Sequence, residues 1–199
     1  AVLTSPLGSL LKVGAGVDAR RSLPRFSARS FRAHFVDDGL AAPHGEVMLW
    51  VDPFTDSFDP EVAHAAVRVL RAAGYRVVLS PRSAQCALTC SDITHLVDSN
   101  DARTVSSAVV TLAELLLATP NWQAPNLTGT TIVAQPHCHQ HAVMGWERDA
   151  QLLASAGATV TRVSGCCGLA GNWGMEQGHY ETSVAVAETN LLPAVRSMP

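Results

Sequence analysis

The chain has 199 residues, 47% hydrophobic and 16% charged, with a net charge of −3. That length and composition support a globular core without disulfide staples, and no apolar run approaches the ~18 residues needed to cross a bilayer. Five cysteines, an odd and sparse set, exclude a secreted disulfide framework and suit a reducing, cytoplasmic compartment.

The net charge hides an asymmetry. Residues 1–35 hold Lys12, Arg20, Arg21, Arg25, Arg29 and Arg32 against Asp18 alone, a net of +5, which leaves −8 for residues 36–199. A basic, Ser- and Arg-rich leader suits an organelle transit peptide or a nucleic-acid arm. The favoured reading is a linker lying on an acidic partner domain, with no nucleic acid as partner. A first residue of Ala rather than Met suits a fragment or an incomplete gene reading better than a complete protein. Residues 1–44 show no sustained period and are expected to be an extended tail with one short helix near Ser9–Val13.

From Glu46 the pattern changes. Val47-Met48-Leu49-Trp50-Val51 is a short apolar run that predicts a buried strand. Asp59-Pro60 then opens a helix, with Asp59 as N-cap and Pro60 at the first helical position. Val62, Ala65, Ala66, Val69, Leu70 and Ala73 recur at helical spacing, and Gly74 ends the helix. Arg76–Leu79 is a second strand, leading to Cys86. Asp98-Ser99-Asn100-Asp101 reads as a turn before a single helix over Thr104–Thr119, stopped by Pro120. Thr131–Ala134 predicts a strand, about Ala142–Ala156 a helix ending at Gly157, and Thr159–Val163 a strand leading to Cys166 and Cys167. A last helix begins near Gln177 or His179 and runs to Leu192, where Pro193 kinks or ends it.

Two of these stretches repeat each other. Leu70–Val77 aligns with Leu153–Val160 at a constant offset of 83 residues, so two strand–helix–strand–cysteine units mark an internal duplication. The expected fold class is α/β, with duplicated β-α-β units forming parallel sheets after an irregular N-terminal tail. Its domains are a basic tail over 1–44 and a cysteine-rich domain over 45–199, split into a degenerate first half (45–119) and an intact second half (120–199). The first half is degenerate because a shift of Cys138 by 83 or 84 lands on Thr55 or Phe54, neither an iron ligand. Ligands of parallel sheets sit at the carboxyl ends of strands, and Cys86, Cys138 and Cys166–Cys167 each follow a predicted strand.

The chemistry concentrates in Gly165-Cys166-Cys167-Gly168-Leu169-Ala170-Gly171 and in Pro136-His137-Cys138-His139-Gln140-His141. Thiolates are soft, strong metal ligands, and an iron–sulfur cluster asks for about four of them with backbone N–H groups aimed at the sulfurs. Cys138, Cys166 and Cys167 supply three, and Cys86 or Cys90 the remainder. Gly165, Gly168 and Gly171 let the backbone wrap such a centre, and the following helix N-terminus favours its negative charge. Three other readings stay open. Zinc could be held by His137, Cys138, His141 and Cys167. An interaction module without metal is the second. Cys166 or Cys167 could instead exchange disulfides as a low-pKa thiol. Trp173 is a candidate shield against water, and His179 and Tyr180 are candidate proton donors or substrate contacts, against simple packing. His34, His44, His64 and His95 read as surface residues.

At Gln135–Ala142 and Gly165–Gly178, continuing into His179-Tyr180-Glu181, with weaker support from Leu49–Asp52 and Ala73-Gly74-Tyr75, the chain resembles the cysteine-rich CCG-domain family. That family includes the cysteine-rich subunit of heterodisulfide reductase and the iron–sulfur subunit of glycolate oxidase. The closest likeness is to the C-terminal part of FAD-linked oxidases fused to iron–sulfur domains. The resemblance covers about residues 45–199. It implies a cluster, expected as 4Fe-4S, that relays electrons between FAD on a separate domain and a quinone or thiol acceptor. Cys138, Cys166 and Cys167 would be ligands of the second half, and Cys86 a remnant of the first, where the motif is reduced to Gln85-Cys86-Ala87 and Cys90 stands in for its partner. The implied partners are a flavin-containing domain or subunit and a ferredoxin-like iron–sulfur domain. The implied substrate is a 2-hydroxy acid such as lactate or glycolate. The implied place is the cytoplasm, peripheral at the inner face of the membrane, with membrane contact only through partners. No C-x-x-C-x-x-C run occurs in these residues, so the chain alone is not expected to turn over substrate.

Overall fold

In the computed structural model the described residues are 12–39, 41–81 and 93–198. The chain is α/β: among the described residues, helices alternate with two separate two-stranded parallel sheets. It divides into two compact units, one of residues 1–24, 127–138 and 157–199, the other of residues 25–126 and 139–156. Among the described residues, no helix is long and apolar enough to cross a membrane.

The larger unit is built on β1 (Glu46–Leu49) and β2 (Arg76–Leu79), parallel and in register from Glu46 opposite Arg76 to Leu49 opposite Leu79. Between them run α2 (Pro53–Ser57) and α3 (Pro60–Ala72). Asp59 holds the N-cap position of α3 without making a cap hydrogen bond. The capping bonds sit one helix earlier, where the Asp52 carboxylate accepts from Phe54 N–H and Thr55 N–H. The buried face of α3 is Ala63, Val67 and Leu70, while Val62 is 56% exposed. Periodicity alone placed that face too close to Val62. An alanine-rich helix is apolar on several sides, and the face is chosen by what it meets. Here it meets Phe31, Val51 and Val77.

Phe31 comes from α1 (Phe31–His34) and is fully buried at the centre of this core. Burying a side chain of that size is worth about 1.5–3 kcal/mol. The N-terminal segment is thus irregular in backbone, as expected, yet packed. Phe26 lies against Phe58 at 4.6 Å, and the Arg32 guanidinium donates to Ser80 O at 2.7 Å and Ser80 Oγ at 2.9 Å. His64, expected at the surface, packs edge-on against Phe31 at 4.9 Å.

The single helix expected over Thr104–Thr119 is two, α4 (Asn100–Ala108) and α5 (Leu112–Ala118). Ser99 caps α4 by accepting from Ala102 N–H, so the predicted turn is the helix start. Thr111 opens α5 with a reciprocal capping box to Glu114, and Val109 before it is extended. α7 (Glu147–Ser155) belongs to the same unit and packs on α5.

The smaller unit carries β3 (Thr131–Ala134) and β4 (Thr159–Arg162), again parallel, paired from Thr131 with Thr159 to Ala134 with Arg162. The helix expected over 142–156 is split into α6 (Cys138–Val143) and α7. The last helix is split likewise at Asn190, into α8 (Tyr180–Thr189) and α9 (Leu191–Arg196). Pro193 neither kinks nor ends it. It occupies the first turn of α9, where a missing N–H leaves no bond unmade.

The duplication extends to elements that sequence alone did not separate. Each half reads strand, short helix, longer helix, strand, and each short helix starts on the fourth residue after its strand, at Pro53 after Leu49 and at Cys138 after Ala134. Gly74 and Gly157 follow the two longer helices with φ of +86° and +85°, the left-handed conformation that stops a helix. Cys138 therefore has Pro53 as its counterpart, a residue that cannot ligate.

Candidate functional site

The site is assembled by the carboxyl ends of β3 and β4. Beyond the last register pair, Val163 N–H donates to Ala134 O at 2.8 Å, and the Gln135 side chain donates through Nε2 to Gly165 O at 3.0 Å. These bonds hold the two strand exits side by side. One exit leads to Cys138, the first residue of α6, and the other to Cys166 and Cys167. All three thiols are free, with Cys138 and Cys166 exposed and Cys167 half-buried.

The loop that follows is wound around its glycines. Gly168 N–H donates back to Cys166 Sγ at 3.3 Å. Gly168 has φ +82°, and a Cβ there would run into the carbonyl oxygen of Ser183 on α8. Both the conformation and the space call for glycine. Gly165 and Gly171 share the left-handed conformation, but at Gly171 no atom lies within 4 Å of an added Cβ. The chain then passes a 3-10 turn, Trp173–Met175, whose Gly174 is buried.

Trp173 is 37% exposed and stacks on His179 at 4.2 Å with 14° between the rings, while His179 Nδ1 lies 2.9 Å from Trp173 O. Tyr180 is covered by two guanidinium groups, Arg20 at 4.0 Å and Arg21 at 4.7 Å. The first turn of α8 carries Glu181, ion-paired with Arg20, and that bond holds the Glu181 carboxyl below its usual range. Sequence reasoning put Arg20 and Arg21 on a partner domain. Their acceptors lie instead in the same unit as the cysteines, and only the residue types on α8 hint at it.

The donor chemistry of this edge fits a soft metal centre: three free thiols on two adjacent strand exits, and a backbone N–H already aimed at one sulfur. The donors are not gathered into a cage. Among the described residues, no three His, Cys, Asp or Glu side chains stand close enough to hold a metal ion, so His137, His141, Cys138 and Cys167 form no such group there. His141 lies within α6, whereas His137 precedes it, so the two do not share a helix face. Cys86, Cys90 and the His95 side chain lie outside the described residues, as does the part of the expected Ser9–Val13 helix before residue 12; residues 12–14 are helical.

One feature of the larger unit escaped sequence reasoning. A cavity of about 280 Å³ is lined by Val109, Leu112, Gln140, Met144 and Asp149 among others. Burial pushes the Asp149 carboxyl up from its ordinary value, against a bond that its Oδ2 accepts from Gln140 at 3.2 Å. Nothing in the spacing of a lone aspartate on an amphipathic helix signals such burial. In comparison with known proteins, no family model, curated protein or solved structure matches the chain.

Proposed function

We propose that this chain is an iron–sulfur electron-transfer domain of an FAD-linked oxidoreductase acting on a 2-hydroxy acid such as lactate or glycolate. Cys138, Cys166 and Cys167 are the proposed thiolate ligands. The observation that carries the reading is the parallel β3–β4 pair, which delivers all three cysteines to one sheet edge while Gly168 N–H donates to Cys166 Sγ. A thiolate that accepts such a bond is stabilised as a ligand.

A cluster bound there, proposed as 4Fe-4S, would supply one-electron transfer. The residues of the chain bring the sulfurs to the edge, hold the loop, and leave Cys138 and Cys166 open to the surface. Flavin chemistry belongs to a partner domain. There the hydroxy acid would lose two electrons and two protons to become a 2-oxo acid, with a quinone or thiol as the final acceptor, and the group held by these cysteines would supply one-electron transfer between the two. Cys86 or Cys90 is the proposed source of a further ligand. The sparse, odd cysteine set suits the cytoplasm, with any contact at the inner face of the membrane made through partners.

The test is metal and acid-labile sulfide analysis of anaerobically purified protein. Iron with sulfide in similar amounts, lost together in Cys166→Ser and Cys167→Ser, supports the assignment. Zinc without sulfide, or disulfide reductase activity in a metal-free chain, overturns it.

A further inference from the structure

The N-terminal segment is bound onto the loop that follows the paired cysteines. Val17 forms an antiparallel bridge with Glu176, Asp18 N–H donates to Met175 O at 2.9 Å, and Gln177 N–H donates to Gly16 O at 2.9 Å. This brings Arg21 onto the loop. Its Nε donates to Gly174 O at 2.8 Å and an Nη donates to Ser183 Oγ at 2.5 Å. Lys12 Nζ holds the carbonyl of Arg21 itself at 2.8 Å.

Both acceptors are buried, and both pack on the same residue. Ser183 is 2% exposed, and its carbonyl oxygen closes the space beside Gly168. Gly174 is closed on the other side by Gly168 O, and a Cβ there would also meet Ser183 Oγ at 2.7 Å. Gly168 has no side chain of its own to fix it. The direction of its N–H is set by these contacts, and that N–H points at Cys166 Sγ.

We propose that Arg21 is a positioning residue for the Cys166 sulfur: by joining Gly174 and Ser183 it fixes Gly168, whose N–H is donated to Cys166 Sγ. The inference rests on the reading of Cys166 as a thiolate donor. Arg21 reaches the sulfur through Gly168 alone and touches neither strand of the β3–β4 pair in the bonds it makes. Removing it leaves a buried hydroxyl and a buried carbonyl without their charged partner. The loop then relaxes, and the N–H swings away from the sulfur.

The experiment uses the full chain with Arg21→Ala, Arg21→Lys and Ser183→Ala. Amide hydrogen exchange is followed at Gly168, with Ile132 and Thr161, whose N–H groups face the partner strand in the ladder, as references. Exchange at Gly168 is expected to rise at least about tenfold in Arg21→Ala, which loses both charge-assisted bonds. A smaller rise is expected in Ser183→Ala, which keeps the Gly174 arm, and Arg21→Lys restores part of the protection. Where Arg21→Ala does not fold, the other two variants decide. In iron-loaded protein the midpoint potential falls in the same order, because an N–H donated to a ligating sulfur favours the reduced state. Unchanged exchange at Gly168, or exchange that rises equally at Ile132 and Thr161, overturns the inference. Wild-type chain that holds no iron overturns the proposed function instead, and the metal-free exchange data still decide the role of Arg21.

Discussion

Cys138 and Cys166 stand at the same step beyond paired residues: each is the fourth residue after the last register pair of the β3–β4 ladder, Ala134 with Arg162. Two parallel strands leave the sheet at the same carboxyl edge, which is where ligands of parallel sheets sit. If these thiols share one metal centre, losing either should be equally damaging. Cys138→Ser is expected to reduce iron per chain as far as Cys166→Ser does, whereas His139→Ala leaves it unchanged. Metal analysis of the three variants beside wild type checks this. Iron retained in Cys138→Ser would place that thiol outside the centre.

Among the loop glycines, the structure separates close packing from conformation. Gly168→Ala meets both a left-handed φ and the Ser183 carbonyl oxygen, while Gly171→Ala meets a φ of +71° in open space. The second substitution should cost about 1 kcal/mol and the first several times as much. Urea unfolding of the two variants reads the difference directly. Equal losses would mean that Ser183 does not confine the loop.

How much of this was legible in the sequence depends on how local each signal was. Strands β1 to β4 were read to within about two residues, because short runs of apolar and β-branched residues bounded by Gly and polar residues leave little choice. Gly74 and Gly157 likewise mark helix ends by their own conformation. Helix breaks were missed where the period continued across them. The capping box of Thr111 and Glu114 is visible as a Thr-x-x-Glu pattern, but the helical spacing of Val105, Ala108, Val109, Leu112, Leu115 and Leu116 masks it. The role of Arg21 and the burial of Phe31 were not legible at all. Each depends on contacts with residues more than 20 positions away, and a basic, Ser-rich context points elsewhere.

Phe31 gives a direct test that the N-terminal segment belongs to the core of the larger unit. Phe31→Ala is expected to destabilise by about 3–5 kcal/mol, the usual cost of emptying a buried aromatic site. Phe26 is 70% exposed despite its contact with Phe58, so Phe26→Ala should cost less than about 1 kcal/mol. Denaturant midpoints of the pair distinguish a packed segment from a loosely attached one, for which both values would be small.

The acid side of the stability curve should report on Asp18. The Arg20 guanidinium, through its side-chain hydrogen bond, lowers the Asp18 carboxyl from 3.8 to about 2. A carboxyl depressed on folding contributes stability that is present above its unfolded value and is lost as the pH falls through the folded one. Wild type is therefore expected to lose stability more steeply than Asp18→Asn between about pH 4 and pH 2. Parallel unfolding curves across that range would show that Asp18 and Arg20 do not hold this bond in solution.

Asp149 carries the opposite sign. Burial beside the 280 Å³ cavity raises its carboxyl, with the nearby Glu114 charge adding to the effect and the Gln140 bond opposing it. For an acid whose value is raised on folding, the ionised form is disfavoured in the native state. The cost is absent below the unfolded value, grows as the pH rises through the folded one, and is complete above it. Asp149→Asn keeps a carbonyl oxygen to accept from Gln140 and removes the charge. It should therefore melt higher than wild type at pH 7, with the advantage shrinking toward pH 4. Melting temperatures at both values check the sign, and a variant less stable at pH 7 would mean that the ionised carboxylate is held by bonds stronger than the one from Gln140.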